Sequence, residues 1–281
     1  MMEKRTDREG VTAILQKKYL FSDMDGTLLT NDKKVSAENL AAIRRFVEAG
    51  GHFGIATGRS ENIAAPFLKD IPMNLPAILY NGAAVYDFSK EAFLYQAELE
   101  RSLVIKMATL ALEVYPEVCA EVYTNGIIQL LNRDCVMDHY IPRENQKFEY
   151  KTLDDFGLCM KLLFYGENAK LKEVERKLYE VTAGAGLQVM FSAPYYLEIL
   201  PSGATKGSAL SWIVENLGID PDDTAAIGDF YNDVALIETA SVGAAPANAP
   251  EDVKERANVI VADNEHSAVA DFIGRYLFEH K

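Results

Sequence analysis

Along the chain, short apolar runs that stop at Asp, Asn, Thr or Gly alternate with stretches whose apolar residues recur at helical spacing. Tyr19-Leu20-Phe21 is the first such run, and it stops at Ser22-Asp23-Met24-Asp25-Gly26-Thr27. An apolar run cut off by Asp and Gly reads as a buried strand leaving a sheet. A helix follows from Ser36 as N-cap, with Leu40, Ile43 and Val47 on one face and Gly50-Gly51 as its stop. Next come a strand at His52 to Ala56, a turn at Thr57-Gly58-Arg59 and a shorter helix. The buried-strand pattern Ala77-Ile78-Leu79-Tyr80 then ends at Asn81-Gly82. Strand and helix in turn, with short links, predict a parallel sheet in an α/β fold.

The texture changes after about Tyr86. Helical spacing is read near Leu103 to Val114 and Lys170 to Val181. Strand-like runs lie at Cys119 to Tyr123, Ile127 to Leu131, Cys159 to Tyr165, Leu187 to Phe191 and Tyr196 to Leu200. The alternation resumes with a helix from Lys206 to about Leu217 and a strand from Thr224 to Ile227 that ends in Gly228-Asp229. A helix near Asn232, a strand around Val242 to Ala244, and a last strand and helix follow. This order predicts a Rossmann-like parallel-sheet core over residues 19–86 and 201–281. It is interrupted by an inserted α+β domain over 87–200 and preceded by a polar tail over 1–18. In such sheets ligands gather at the carboxyl ends of the strands. Asp23, Asp25, Thr57 and Asn81 fall at those ends.

Composition narrows the function classes. The formal net charge of −14 sets the surface against a nucleic-acid backbone. A phosphorylated small molecule is an anion too, so it would need a metal or a few placed cations. No window approaches the roughly 18 apolar residues of a membrane span, and the N-terminal residues lack the apolar stretch of a secretory signal. The three cysteines, Cys119, Cys135 and Cys159, have no CxxC spacing. That argues against a disulfide framework or zinc site and fits a reducing cytoplasm.

The chemistry concentrates in Asp23-Met24-Asp25-Gly26-Thr27-Leu28. Two carboxylates two residues apart in a glycine turn can face one small space, one to attack phosphorus and one to move a proton. Their mutual repulsion calls for a cation such as Mg²⁺. This hexapeptide after a strand resembles the first motif of the haloacid dehalogenase superfamily. Its phosphatases use the first Asp as nucleophile and the second as acid and base.

The other motifs follow in order. Thr57, with Gly58 beside it, matches the hydroxyl residue of the second motif, which binds the phosphoryl group; Arg59 next to it is open between a core salt bridge and a substrate contact. Lys206 matches the third-motif lysine at a helix start, a further phosphoryl contact. Gly228-Asp229-Phe230-Tyr231-Asn232-Asp233 matches the acidic fourth motif. The resemblance implies Mg²⁺ held by the carboxylates of Asp23 and Asp229 and the backbone carbonyl of Asp25. Asp233 would support that shell, and Asn232 would touch the phosphate.

The inserted segment lies between the second and third motifs, which resembles the Cof-type members of subfamily IIB with a C2 cap. Asn81-Gly82 also fits that group. Two departures stand out: Pro246-Ala247-Asn248-Ala249 replaces a common Met-Gly-Asn-Ala, and Ser267 stands where a glycine is common. The expected activity is Mg²⁺-dependent hydrolysis of a small phosphorylated metabolite, such as a sugar phosphate, in the cytoplasm. A phosphomutase like phosphomannomutase, with the same fold and cap type, is an alternative that needs an acceptor hydroxyl to outcompete water. A non-catalytic binder would be favoured had Asp23, Asp25 or Lys206 been replaced, and all three are present. In the cap, His139, Tyr123, Arg133, Arg143 and Tyr195 are candidates for ligand contact, with surface or packing roles equally open.

Overall fold

The computed structural model describes residues 16–132, 147–182 and 185–278. The elements begin with β1 (Tyr19–Ser22), α1 (Ala37–Glu48), β2 (His52–Ile55), α2 (Glu61–Leu68), β3 (Ala77–Leu79), β4 (Ala84–Asp87) and β5 (Ala92–Gln96). They continue with α3 (Arg101–Val114), β6 (Cys119–Thr124), β7 (Ile127–Leu130), β8 (Lys147–Tyr150), β9 (Lys161–Tyr165) and α4 (Asn168–Thr182). After β10 (Gln188–Ala193) and β11 (Tyr196–Leu200) come α5 (Lys206–Leu217), β12 (Thr224–Ile227) and α6 (Val234–Thr239). The last are β13 (Val242–Pro246), α7 (Glu251–Lys254), β14 (Val259–Val261) and α8 (Ala268–Phe272). No helix among the described residues is long and apolar enough to cross a membrane.

Packing divides the chain into two compact units. One comprises Met1–Ile55, Asp70–Leu75 and Val214–Lys281. Its sheet is five-stranded and wholly parallel, in the order β14-β13-β12-β1-β2. β1 is flanked on both sides, which explains why Leu20 and Phe21 are fully buried and why the run carries no polar alternation.

α1 starts where Ser36 accepts from the Asn39 N–H at 3.1 Å. Its inward face is Asn39, Ile43 and Phe46, while Leu40 and Val47 are only half-buried. The apolar spacing had placed Leu40 and Val47 inward. Asn39 displaces them because its side chain donates to Leu28 O at 3.2 Å and accepts from Ala270 N at 2.9 Å, which ties the helix to two neighbours.

The other unit comprises Ala56–Lys69 and Pro76–Ile213. It holds a six-stranded sheet in the order β10-β11-β9-β6-β7-β8, antiparallel except for β7 with β8. Val104, Met107 and Ala108 of α3, with Leu171, Val174 and Leu178 of α4, share a core with Val122, Leu162, Phe164 and Leu197 of the sheet. A second, three-stranded sheet runs β3-β4-β5 and is antiparallel throughout.

The Ala77 run, read as one more parallel strand, therefore pairs mainly with β4. It meets the chain after β2 in parallel at the single bridge Ala56 to Ile78. β4, β5 and β8 carry too few residues in alternation to announce themselves, and pairing rather than propensity makes them strands.

Candidate active site

In the first unit, β1 and β12 run side by side with Ser22 opposite Ile227. The ladder continues one step further, where the Asp23 N–H donates to Ile227 O at 2.9 Å. Asp23 and Asp229 thus leave the sheet at the same end of adjacent strands. Asp23 is 5% exposed. Gly26 makes the turn at φ +83, and a Cβ there would stand 2.4 Å from Asp229 Oδ2. Both the backbone angle and the approach of Asp229 require glycine at this position.

The Thr27 hydroxyl donates to Asp229 Oδ1 at 3.0 Å and fixes that carboxylate. Asp233 Oδ2 accepts from the N–H groups of Asp229 and Phe230, each at 3.1 Å. Asp23, Asp229 and Asp233 each bring a carboxylate oxygen to within 4.8 Å of the others. Three carboxylates this close repel one another unless a cation or proton stands among them. An all-oxygen, all-anionic donor set fits a hard divalent cation such as Mg²⁺. Asn232 is half-buried in the 3₁₀ turn Tyr231–Asp233 just beyond this cluster.

Asp25 faces outward by comparison, and Lys33 Nζ lies 2.8 Å from its Oδ1. Lys33 reaches it from a left-handed backbone position, φ +59. Nothing in the spacing of the motif points to this lysine, because the reversal from Leu28 to Val35 that returns it is set by bridges at Leu29. Asn248, from the Pro246-Ala247-Asn248-Ala249 departure, donates to Gly26 O at 2.9 Å, and its Oδ1 accepts from Asn264 N at 3.0 Å. The asparagine common to both versions of that loop is therefore the residue that grips the turn at Gly26. Ser267, the other departure, sits at φ +62, a left-handed angle suited to glycine, with its Oγ 2.8 Å from Ser36 Oγ.

In the second unit, Thr57 is 1% exposed. Its N–H donates to Ile78 O at 2.8 Å and its Oγ1 accepts from Arg59 N at 3.2 Å, which leaves the hydroxyl hydrogen as the donor Thr57 can offer. Arg59 lays its guanidinium over the Phe67 ring, 4.5 Å from the centroid. A Cβ on Gly58 would lie 2.8 Å from Asn81 Oδ1, so the turn at Thr57-Gly58 packs against the Asn81 side chain.

Tyr80, Asn81 and Gly82 form a left-handed run with φ of 50, 55 and 98. Tyr80 is held there by donating to Glu61 Oε2 at 2.7 Å and accepting from Gly126 N at 3.0 Å. Burial, followed by the Glu61 carboxylate, holds its phenol far above the ordinary tyrosine range. Lys206 opens α5 and is fully buried, unlike the exposed lysine that residue type suggests. Thr205 caps it reciprocally with Ser208: Thr205 N donates to Ser208 Oγ at 2.9 Å and Ser208 N to Thr205 Oγ1 at 2.8 Å.

Sequence reasoning also missed Lys161 and Glu198. Lys161 Nζ lies 3.2 Å from Glu198 Oε1, both residues are about 95% buried, and the ammonium stands 4.3 Å from the Tyr123 ring centroid. Of the cap candidates, Tyr123 is thus an interior residue, and Tyr195 is exposed beside Tyr165 and Tyr196. His139, Arg133, Arg143 and Cys135 lie outside the described residues. Cys119 and Cys159 are buried, and burial pushes the Cys159 thiol above its usual range.

The family model for haloacid dehalogenase-like hydrolases matches residues 20–273. The chain belongs to that family. Among solved structures, a haloacid dehalogenase-like hydrolase from Bacteroides thetaiotaomicron is 30% identical with a TM-score of 0.82, over 92% of this chain and 99% of that one. The HAD subclass IIB sugar phosphatase BT4131 shares the fold at a TM-score of 0.78 and 21% identity, over 92% of this chain and 98% of that one.

Pyridoxal phosphate phosphatase YbhA of Escherichia coli is 28% identical over 91% of this chain and 97% of its own length. The Arabidopsis thaliana protein named "Endoribonuclease YBEY, chloroplastic" is 29% identical over 98% of this chain. The chain spans only 50% of that protein, whose name describes the longer molecule. This hydrolase is therefore of the Cof type, and its near-full-length relative YbhA is named a phosphatase.

Proposed function

We propose that this hydrolase is a Mg²⁺-dependent phosphatase that removes phosphate from a small phosphorylated metabolite through an aspartyl-phosphate on Asp23. The observation that carries the reading is the meeting of Asp23, Asp229 and Asp233, with their oxygens within 4.8 Å. Asp23 attacks phosphorus in line, and the ester oxygen leaves with a proton from Asp25. Asp25 then takes a proton from the water that hydrolyses the acyl phosphate, which frees inorganic phosphate and restores Asp23. Lys206 and Thr57 donate to the non-bridging oxygens, with Gly58 and Asn232 as further phosphate contacts. Lys33 stands beside this acid, its Nζ 2.8 Å from Asp25 Oδ1.

Asp23, Asp229 and the Asp25 carbonyl would hold Mg²⁺, with Asp233 orienting the loop. When bound, the ion offsets the repulsion between the carboxylates and the incoming phosphate. Residues 87–200 serve as the C2 cap that selects the substrate. Phosphate esters of small metabolites are favoured over polyanions by the charge of −14. The buried thiols Cys119 and Cys159 are consistent with work in a reducing cytoplasm.

The test is release of inorganic phosphate from a panel of phosphorylated metabolites, with and without Mg²⁺, while isomerised ester is measured alongside. Turnover that needs Mg²⁺ and disappears in Asp23→Asn is the expected result. An Asp23→Asn protein with unchanged turnover would overturn the covalent mechanism, and isomer as the sole product would make the enzyme a mutase.

A further inference from the structure

We infer that Lys161 and Glu198 are positioning residues: a buried ion pair that sets the geometry of the Thr57-Gly58 turn and of Asn81. The inference rests on the reading that this turn binds the phosphoryl group. Glu198 is 5% exposed and Lys161 4%. Glu198 Oε1 accepts from Lys161 Nζ at 3.2 Å and from Ser192 Oγ at 2.8 Å, and its Oε2 accepts from Asn81 Nδ2 at 2.9 Å. Lys161 Nζ also donates to Gly58 O at 3.3 Å and faces the Tyr123 ring. Three strands, β9, β10 and β11, thus reach Gly58 and Asn81 through one carboxylate and one ammonium.

Two physical arguments make this more than packing. Removing two charges from water is costly, and apolar residues of similar volume often replace a buried pair without loss of stability. A pair whose remaining hydrogen bonds go to Gly58 O and the Asn81 amide is placed where it fixes polar geometry instead. The second argument is strain. Tyr80 and Asn81 both lie at positive φ, and such a conformation persists only where the surroundings over-determine it. Glu61 and Gly126 hold Tyr80, while Glu198 holds Asn81. Without Glu198, Asn81 loses the hydrogen bond from its Nδ2 and the Thr57-Gly58 turn packed against it loosens.

The experiment compares the full-length protein with Lys161→Met/Glu198→Leu and with Glu198→Gln. It measures denaturation midpoint, amide hydrogen exchange at Thr57, Arg59 and Asn81, and the kcat and KM of phosphate release. For the double variant the expectation is a folded protein with exchange at those amides faster by about tenfold or more. A fall in kcat of at least about tenfold should come with a smaller change in KM. Glu198→Gln keeps one acceptor oxygen but puts an NH₂ donor in place of the other and carries no charge, and should show changes in the same direction.

Wild-type exchange at the three amides in a folded double variant overturns the inference. So does an unchanged kcat when those amides have loosened. If the double variant does not fold, Glu198→Gln decides by the same two measurements. A wild-type protein that turns over nothing on the panel would refute the phosphatase reading, and amide exchange alone then decides the positioning role.

Discussion

Gly82 offers a quantitative check on the packing around the buried lysine. It has φ +98, and a Cβ there would stand 2.0 Å from the backbone oxygen of Thr205, the residue before Lys206. Gly203 has φ +72 with nothing within 4 Å of such a Cβ, and Gly50 has φ +96 and is equally open. Alanine at a left-handed angle costs about 1–2 kcal/mol, so Gly203→Ala and Gly50→Ala should each lose that much. Gly82→Ala carries the same backbone cost. It must also push a main-chain carbonyl aside, and overpacking of this kind adds about 1–3 kcal/mol.

The expected total for Gly82→Ala is therefore about 2–5 kcal/mol. Urea denaturation followed by circular dichroism measures all three variants, and Gly203 serves as the control within the same compact unit. Phosphate release should fall in Gly82→Ala alone, because the shift begins one residue from Lys206. If Gly82→Ala and Gly203→Ala lose equal stability within about 0.5 kcal/mol, the contact with Thr205 does not constrain the site and the reasoning fails.

Glu91 occupies φ +51 in the exposed β4–β5 turn, so Glu91→Gly should gain from a few tenths to about 1 kcal/mol in the same denaturation assay. Tyr80 has its phenol pKa raised by burial and by Glu61, while the unfolded chain titrates near the ordinary value of 10.0. The unfolded state then gives up its proton first, and stability present below pH 10 is lost as pH rises beyond it. Denaturation midpoints from pH 8 to 11 should decline less steeply in Tyr80→Phe than in wild type; equal slopes would count against the buried phenol. Cys159, buried and with its thiol pushed up, should resist iodoacetamide in the native protein and react after unfolding, as peptide mapping by mass spectrometry will read.

How far the sequence foretold the molecule depended on the range of the forces involved. β11, α5 and β12 have the limits that the apolar runs predicted, because strong local patterns bounded them. The resemblance alone paired the motif residues Asp23 and Asp229 in advance, and the structure shows that β1 and β12 are adjacent parallel strands that end at one edge. The inward turn of Asn39 was hidden, since its partners Leu28 and Ala270 are distant or irregular in sequence. The antiparallel pairing of β3 with β4 was hidden for a related reason: a buried apolar run does not reveal which neighbour it will take. Lys161 and Glu198 each sat in a run read as a strand, and only the register of β9 against β11 brings Glu198 across from Leu163 and near Lys161. Lys33 reaches Asp25 through a reversal whose bridges no periodicity encodes.

The hydrogen bond from Thr27 to Asp229 spans 202 residues of chain. During synthesis the strand that ends at Asp23 is therefore made early, while the strand that completes its surroundings comes after all of β3 through α5. Nearly the whole second compact unit emerges in that interval as a continuous stretch and has its own sheets to form. The acidic cluster is consequently among the last features that vectorial folding can assemble. Until β12 arrives, Asp23 ends a strand that lacks one neighbour, and Thr27 has no Asp229 to accept its hydrogen bond.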